Sequence, residues 1–181
     1  MKQIDKIIFL DVDGVLNHNA WYKWIMSHPE FLKEGGHRSI DPRSVERVIK
    51  ICDETGARIV MSSSWRLWEF YQTLKNLNSI RDLRPILDYM VGITERTDDR
   101  FRGQEIKYFL NNCRKGNFMT VSGNNLKKAD IEFVQFPKYI ILDDDTDMLD
   151  EQANVFLHID DMVGITHKDV EKAIKILNEG D

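Results

Sequence analysis

Ile7-Ile8-Phe9-Leu10-Asp11-Val12-Asp13-Gly14 is a short apolar run that ends abruptly in two carboxylates and a glycine. Four consecutive apolar residues closed by a turn signal predict a strand buried on both faces, the kind found in parallel sheets. Such a strand delivers Asp11 and Asp13 at its C-terminal tip, the edge where open α/β sheets bind their ligands. Two carboxylates this close repel each other unless a cation lies between them. The segment therefore predicts a metal site with a spare carboxylate.

The same pattern recurs further along. Residues 57–61 form a second apolar run, closed by Ser62-Ser63-Ser64, and residues 139–142 form a third, closed by Asp143-Asp144-Asp145. Helical patterns alternate with these runs. Asp41 as N-cap and Pro42 at the first helical position open one helix, with Val45, Val48, Ile49 and Cys52 on its inner face and Gly56 at its end. Further helices are expected over 65–77, over 103–113 and after Thr166, and short strands over 88–94 and 155–159. Strand and helix patterns in alternation predict βαβ units and a mostly parallel sheet: a Rossmann-like, three-layer α/β/α sandwich. The expected organisation is a single domain over 1–181, with small insertions at about 17–40 and 116–136.

The bulk numbers agree. A chain of 181 residues, 42% hydrophobic and 30% charged, fits one globular domain. Its net charge of −5 argues against broad coating of nucleic acid but leaves room for a local basic grip on one phosphate. Cys52 and Cys113 read as free thiols, since neither belongs to a CxxC pair. With no membrane-length apolar run and no signal-peptide core, the expectation is a cytoplasmic protein with no membrane partner. His28, His37, His158 and His167 lack the spacing of zinc ligands.

In a parallel sheet the three polar strand ends share one edge. Together they offer oxygen ligands for Mg²⁺ (Asp11, Asp13 and Asp144), hydroxyls and backbone amides for an anion, and a further acid cluster. A metal beside a poised carboxylate and an anion anchor is what phosphoryl transfer needs, because its transition state spreads negative charge over several oxygens.

Asp11-Val12-Asp13-Gly14-Val15-Leu16 resembles the first motif of the haloacid dehalogenase superfamily of phosphotransferases. Ser63, within Ile59-Val60-Met61-Ser62-Ser63-Ser64-Trp65-Arg66, resembles the second, and Asp143-Asp144 the acidic fourth. The third motif supplies a lysine or arginine. Arg102, in Arg100-Phe101-Arg102-Gly103-Gln104-Glu105-Ile106, is the first candidate, with Arg100, Arg96, Arg66 and Lys107 as competitors. Ser-Ser-Trp-Arg, Arg-Gly-x-Glu-Ile, Leu-Asp-Asp-Asp and a late Gly164-Ile165-Thr166 together resemble the small branch of this superfamily associated with RNA-repair proteins.

The resemblance implies that Asp11 attacks phosphorus and becomes an aspartyl-phosphate, while Asp13 protonates the leaving oxygen and later activates water. It implies that the side chains of Asp11 and Asp144 and the backbone carbonyl of Asp13 hold Mg²⁺, with Asp143 supporting or sharing that site. Ser63, or Ser62 beside it, and the following amide would hold the phosphoryl oxygens, and Arg102 would neutralise them. Ser64 reads equally well as a helix cap. Asp145 and Asp147 carry no role beyond a capped turn.

Residues 17–40 and 67–101 are too short for a large cap, so the expected site is open to a bulky phosphorylated substrate. A polynucleotide end, RNA or DNA, is the first such substrate. A nucleotide or other small phosphomonoester is the alternative, and a non-catalytic module that binds phosphate ends is a third reading. Trp21, Tyr22 and Trp24 read as the insertion's own apolar core or as a base-stacking surface. His18 reads as a loop residue or a substrate contact.

Overall fold

The computed structural model describes residues 2–31, 40–66, 81–99, 101–112, 119–122, 125–128 and 131–179. Its centre is a five-stranded, all-parallel sheet of β1 (Lys2–Leu10), β2 (Arg58–Met61), β3 (Met90–Ile93), β6 (Ile131–Asp143) and β7 (Phe156–His158), in the order β3-β2-β1-β6-β7. A separate antiparallel hairpin, β4 (Met119–Ser122) and β5 (Asn125–Lys128), precedes β6.

The alternation of side chains along β1 explains why its sequence is apolar without interruption. Ile8 and Leu10 join a core with Val45, Val48, Ile51 and Cys52 of α2 (Pro42–Thr55) and Val170, Ala173 and Leu177 of the C-terminal helix (His167–Asn178). Ile7 and Phe9 face the other side and pack with Ile106 and Phe109 of the helix Arg102–Asn112. Phe9 meets Phe109 and Tyr139 edge-on, at ring-centre distances of 5.6 and 5.7 Å. Both faces are covered, which is the three-layer sandwich expected from the sequence. Each such buried side chain contributes about 1.5–3 kcal/mol of hydrophobic stabilisation. α1 (Asn19–Ser27) lies in the first insertion. With the helices numbered in chain order, Arg84–Leu87 is α3, Arg102–Asn112 is α4 and His167–Asn178 is α5.

Helix punctuation follows the sequence closely. The Asp41 carboxylate accepts from the Arg43 amide, Gly56 closes α2 at φ 76°, and Thr166 caps α5 through a reciprocal bond with Asp169. Other boundaries shift. β1 starts at Lys2, and β6 starts at Ile131, inside the expected second insertion. The reason is a bulge: Ile4 pairs with Phe133, but Lys6 pairs with Lys138. Pro137, which has no N–H for a ladder, falls in that bulge and breaks the apolar pattern. The turn after Asp143 leads into no helix over 146–149; a 3₁₀ turn comes at Asp150–Gln152. Ser64–Arg66 is a 3₁₀ turn, and the rest of the helix expected over 65–77 lies outside the described residues, as do Cys113, His37 and Arg100.

The chain builds β1, β2 and β3 outward in one direction, then returns to lay β6 on the other side of β1. That reversal is the topological switch point of the sheet. Its crevice opens between the C-terminal ends of β1 and β6, just beyond Leu10 and Leu142.

Candidate active site

Asp11 leaves β1 with its amide donating to the Leu142 carbonyl at 3.0 Å, so it remains stitched to β6. Asp143 ends β6, and Asp144 follows it. One carboxylate oxygen from each of Asp11, Asp143 and Asp144 lies within 4.8 Å of the others. Gly14 makes the approach possible. Its φ of 69° suits glycine, and a Cβ there would overlap the Asp144 carboxyl.

Arg102 is the cation among these acids. Its Nη1 donates to Asp11 Oδ1 at 3.1 Å, and its Nε stands 3.4 Å from Asp143 Oδ2. Asp147 fixes Arg102 in turn, accepting from the Arg102 amide at 2.9 Å, while the Asp147 carbonyl accepts from the Gly103 amide at 3.1 Å. Gly103 belongs here because a Cβ would come within 2.6 Å of Gln152 Oε1 and the Leu149 amide. Arg100 lies outside the described residues.

One guanidinium does not balance three acids in a buried crevice. Burial, opposed by Arg102 and reinforced by Asp13 and Asp144, pushes the Asp11 carboxyl up to about 6. Burial and the Asp11 charge push Asp143 up to about 8. Asp144 is also raised, first by burial. Asp143 is fully buried, and its Oδ2 has no hydrogen-bond partner among the described residues. A buried, unsatisfied carboxylate oxygen in an oxygen-only donor set fits a hard divalent cation such as Mg²⁺.

Asp13 stands apart. Its carboxylate accepts from Asn17 Nδ2 at 2.6 Å and from Trp65 Nε1, at 3.1 Å to each oxygen. Asn17 also accepts from the Gly14 amide at 2.9 Å, closing the turn. The acidic edge is thus divided into three grouped carboxylates and a fourth held by neutral donors.

The β2 end is built differently. Ser62 and Ser63 are both fully buried. Ser63 Oγ accepts from the Trp65 amide at 3.3 Å, whereas Ser62 Oγ has no partner among the described residues. Ser64 is exposed, its hydroxyl 3.4 Å from Asp13. Arg66, a competitor for the third-motif role, points inward. It donates to the carbonyls of Ser62 and Ser63 and, at 2.9 Å, of Thr94, and it pairs with buried Glu105 of α4. It therefore braces the serine turn instead of facing the carboxylates. Lys107 pairs with Glu151 at 3.0 Å on the surface.

The aromatic insertion splits. Trp21 is buried, with the Arg43 guanidinium 5.5 Å from its ring centre, and Tyr22 and Trp24 are exposed. His18 is buried and caps α1: Nδ1 accepts from the Trp21 amide, and Nε2 lies 3.1 Å from Asp41 Oδ2. Glu105, Asp147 and Asn17 carried no sequence signal of their own. Glu105, Trp65 and Arg66 lie within the Arg-Gly-x-Glu-Ile and Ser-Ser-Trp-Arg patterns, which do not link them to one another.

An all-parallel α/β sandwich with acids massed at its switch point fits the haloacid dehalogenase class. More particularly, residues 7–170 match the family described as the HAD domain in Swiss Army Knife RNA repair proteins, and the chain belongs to that family. No curated protein and no solved structure matches it. No helix among the described residues is long and apolar enough to cross a membrane.

Proposed function

We propose that this chain is a Mg²⁺-dependent phosphomonoester hydrolase that acts on phosphorylated RNA or DNA ends through an aspartyl-phosphate. The whole of 1–181 forms one hydrolase domain with two small insertions. The observation that carries this reading is the division of the acidic edge. A module that only bound phosphate ends would need the grouped carboxylates and a basic residue. It would have no use for a separate, accessible carboxyl held by neutral donors beside them, which is the position of Asp13.

Asp11, Asp143 and Asp144, with the Asp13 carbonyl, are the residues that would hold the cation. When bound, it offsets the negative charge of the carboxylates and of the phosphoryl group. Arg102 holds Asp11 Oδ1, leaving the other carboxylate oxygen to attack phosphorus. As that bond forms, the bond to the leaving oxygen breaks and Asp13 gives its proton to that oxygen. Asp13 then takes a proton from water, which attacks the phosphorus and returns Asp11 as a free carboxylate. The Ser62–Ser63 turn and the amides after it hold the phosphoryl oxygens. The family's RNA-repair setting, and segments 17–40 and 67–101 too short for a large cap, favour a nucleic-acid end over a small phosphomonoester. The free, buried thiol of Cys52 suits a reducing compartment such as the cytoplasm.

The test is release of phosphate from an aryl phosphate and from RNA and DNA oligonucleotides phosphorylated at either end, with and without Mg²⁺. Activity is expected to require the cation. Asp11→Asn should lower it by roughly 10³-fold or more and abolish the acid-trapped phosphoenzyme. No release with any divalent ion would leave the binding-module reading. Full activity in Asp11→Asn would overturn the mechanism, and equal or faster turnover of mononucleotides would remove the polynucleotide end.

A further inference from the structure

Beside the carboxylates, on the β7 side of the crevice, lies an open cleft of about 230 Å³. Its lining comes from Gly14 and the first insertion (Asn17, His18, Asn19 and Tyr22) on the one hand, and from Asp144 and Asp161 on the other. The insertion and the Asp161 loop are tied together by backbone bonds: the Asn19 amide donates to the Asp161 carbonyl at 3.0 Å, and the Ala20 amide to the Met162 carbonyl at 2.9 Å. Gly164, at φ 69°, brings this loop so close to His18 that a Cβ would come within 2.5 Å of the imidazole. The Ile165 amide then bonds the Val15 carbonyl at 3.2 Å. The cleft is preformed, and the late Gly164-Ile165 pair is what seats the Asp161 loop.

Its chemistry is selective. Asn19 Nδ2 donates to Asp161 Oδ2 at 3.0 Å and lies 3.5 Å from both the Asp161 carbonyl and Met162 Sδ, so the amide's NH2 group is turned to the loop. What the pair presents to a ligand is acceptor-rich: a carboxylate and an amide oxygen. Such an edge seeks hydroxyl donors. Two carboxylates in the lining repel a further phosphate, so a continuous polyanionic strand is disfavoured there, while a neutral nucleoside is not. Tyr22, 51% exposed, supplies an aromatic face at the rim.

We propose that this cleft holds the terminal nucleoside of the phosphorylated end, with Tyr22 against the base and the Asn19–Asp161 pair accepting from a ribose hydroxyl. This inference rests on the phosphatase reading and deepens it. It makes the site selective for a terminus over an internal segment, and for a ribonucleotide over a deoxyribonucleotide, since the 2′-hydroxyl is the donor that distinguishes them.

The experiment uses oligonucleotides identical except for the terminal, phosphate-bearing nucleotide, which is ribo or 2′-deoxy, at the 3′ end in one pair and the 5′ end in another. The readout is the ribo-to-deoxy ratio of kcat/KM within each protein, so a general loss of activity cancels. The wild type should favour the ribo terminus at one of the two ends by on the order of tenfold, the worth of one hydrogen bond to a charged acceptor. Asp161→Ala, at an exposed position, should bring that ratio close to one. Tyr22→Ala should lower both arms together, by roughly tenfold, because stacking does not read the sugar.

The same ratio is measured as Kd, by calorimetry, on Asp11→Asn protein, which forms no phosphoenzyme. A ribo preference in binding with no turnover in the wild type would remove the phosphatase reading and keep the cleft. Equal turnover and equal binding of both sugars at both ends, or a preference that survives Asp161→Ala, would overturn the inference.

Discussion

Two regions on one edge of the sheet solve opposite problems. At the β1 and β6 tips, Asp11, Asp143 and Asp144 crowd together with one guanidinium among them, and a fully buried oxygen has no hydrogen-bond partner among the described residues. At the β2 tip, the Arg66 guanidinium bonds three carbonyls and a buried carboxylate. The first end is under-satisfied and the second over-determined. The difference separates a place with unspent ligating capacity from a place held rigid beside it. Unspent ligating capacity is useful only where the neighbouring frame cannot collapse to use it up.

The largest effect should come from breaking the rigid end. Burial pushes Glu105 up and Arg66 down despite their mutual attraction, so desolvation outweighs the pairing. The pair is therefore a positioning device more than a source of net stability. Arg66→Met removes the charged partner of a buried carboxylate and the guanidinium donors to three carbonyls, and should cost about 3–5 kcal/mol, or on the order of 10 °C in Tm. Arg66→Met combined with Glu105→Leu should recover much of that stability in denaturant unfolding but not the phosphatase activity, because the Ser62–Ser63 carbonyls remain unbraced. Recovered activity in the double variant would show that the brace positions nothing.

Relieving the under-satisfied end should do the reverse, with a smaller amplitude. Asp11 and Asp143 are raised in the folded protein to about 6 and about 8, above the ordinary 3.8 that each regains on unfolding. Between those values the unfolded chain binds fewer protons than the folded one, so their contribution to stability is present in acid and lost as pH rises. Without metal, the wild type should melt at a lower temperature at pH 8.5 than at pH 5. Asp143→Asn should flatten that dependence and stabilise the metal-free protein at pH 8.5 by at least ~1.4 kcal/mol, the worth of one relieved unit, or roughly 2–4 °C. Mg²⁺ should raise the wild-type Tm at that pH and raise the variant's far less. A variant no more stable than the wild type at pH 8.5 would mean that the carboxylates are already compensated.

What could be read from the sequence follows the same division. The crowded end was legible because apolar runs ending in Asp11, Asp13, Asp143 and Asp144 are local patterns, and a parallel sheet places such ends together. Arg102 was visible through the residues beside it. The brace was hidden, since Arg66 and Glu105 are 39 positions apart, and each alone resembles an ordinary surface charge. The cleft was hidden for a like reason: Asn19 and Asp161 meet only through the fold, 142 positions apart. The long β6 escaped because Pro137 and its bulge interrupt the alternation that marks a strand.

The smallest effect on stability falls within the β2 tip itself, at the paired serines. Both hydroxyls are buried, but only Ser63 Oγ is engaged, by the Trp65 amide. Ser62 Oγ lacks a partner among the described residues, so replacing it with a methyl hydrogen loses no bond and removes a desolvated polar group. Ser62→Ala should leave Tm unchanged or slightly raised, within about 0.5 kcal/mol. Ser63→Ala should cost about 1 kcal/mol, the ordinary loss of a capping hydroxyl. If the unspent hydroxyl is reserved for the phosphoryl group, Ser62→Ala should nevertheless raise KM for an aryl phosphate and weaken inhibition by vanadate. Under that outcome Ser62, not Ser63, is the residue that anchors the substrate. An unchanged KM in Ser62→Ala, with a raised one in Ser63→Ala, would return the role to Ser63 and require its bond to the Trp65 amide to open when phosphate arrives.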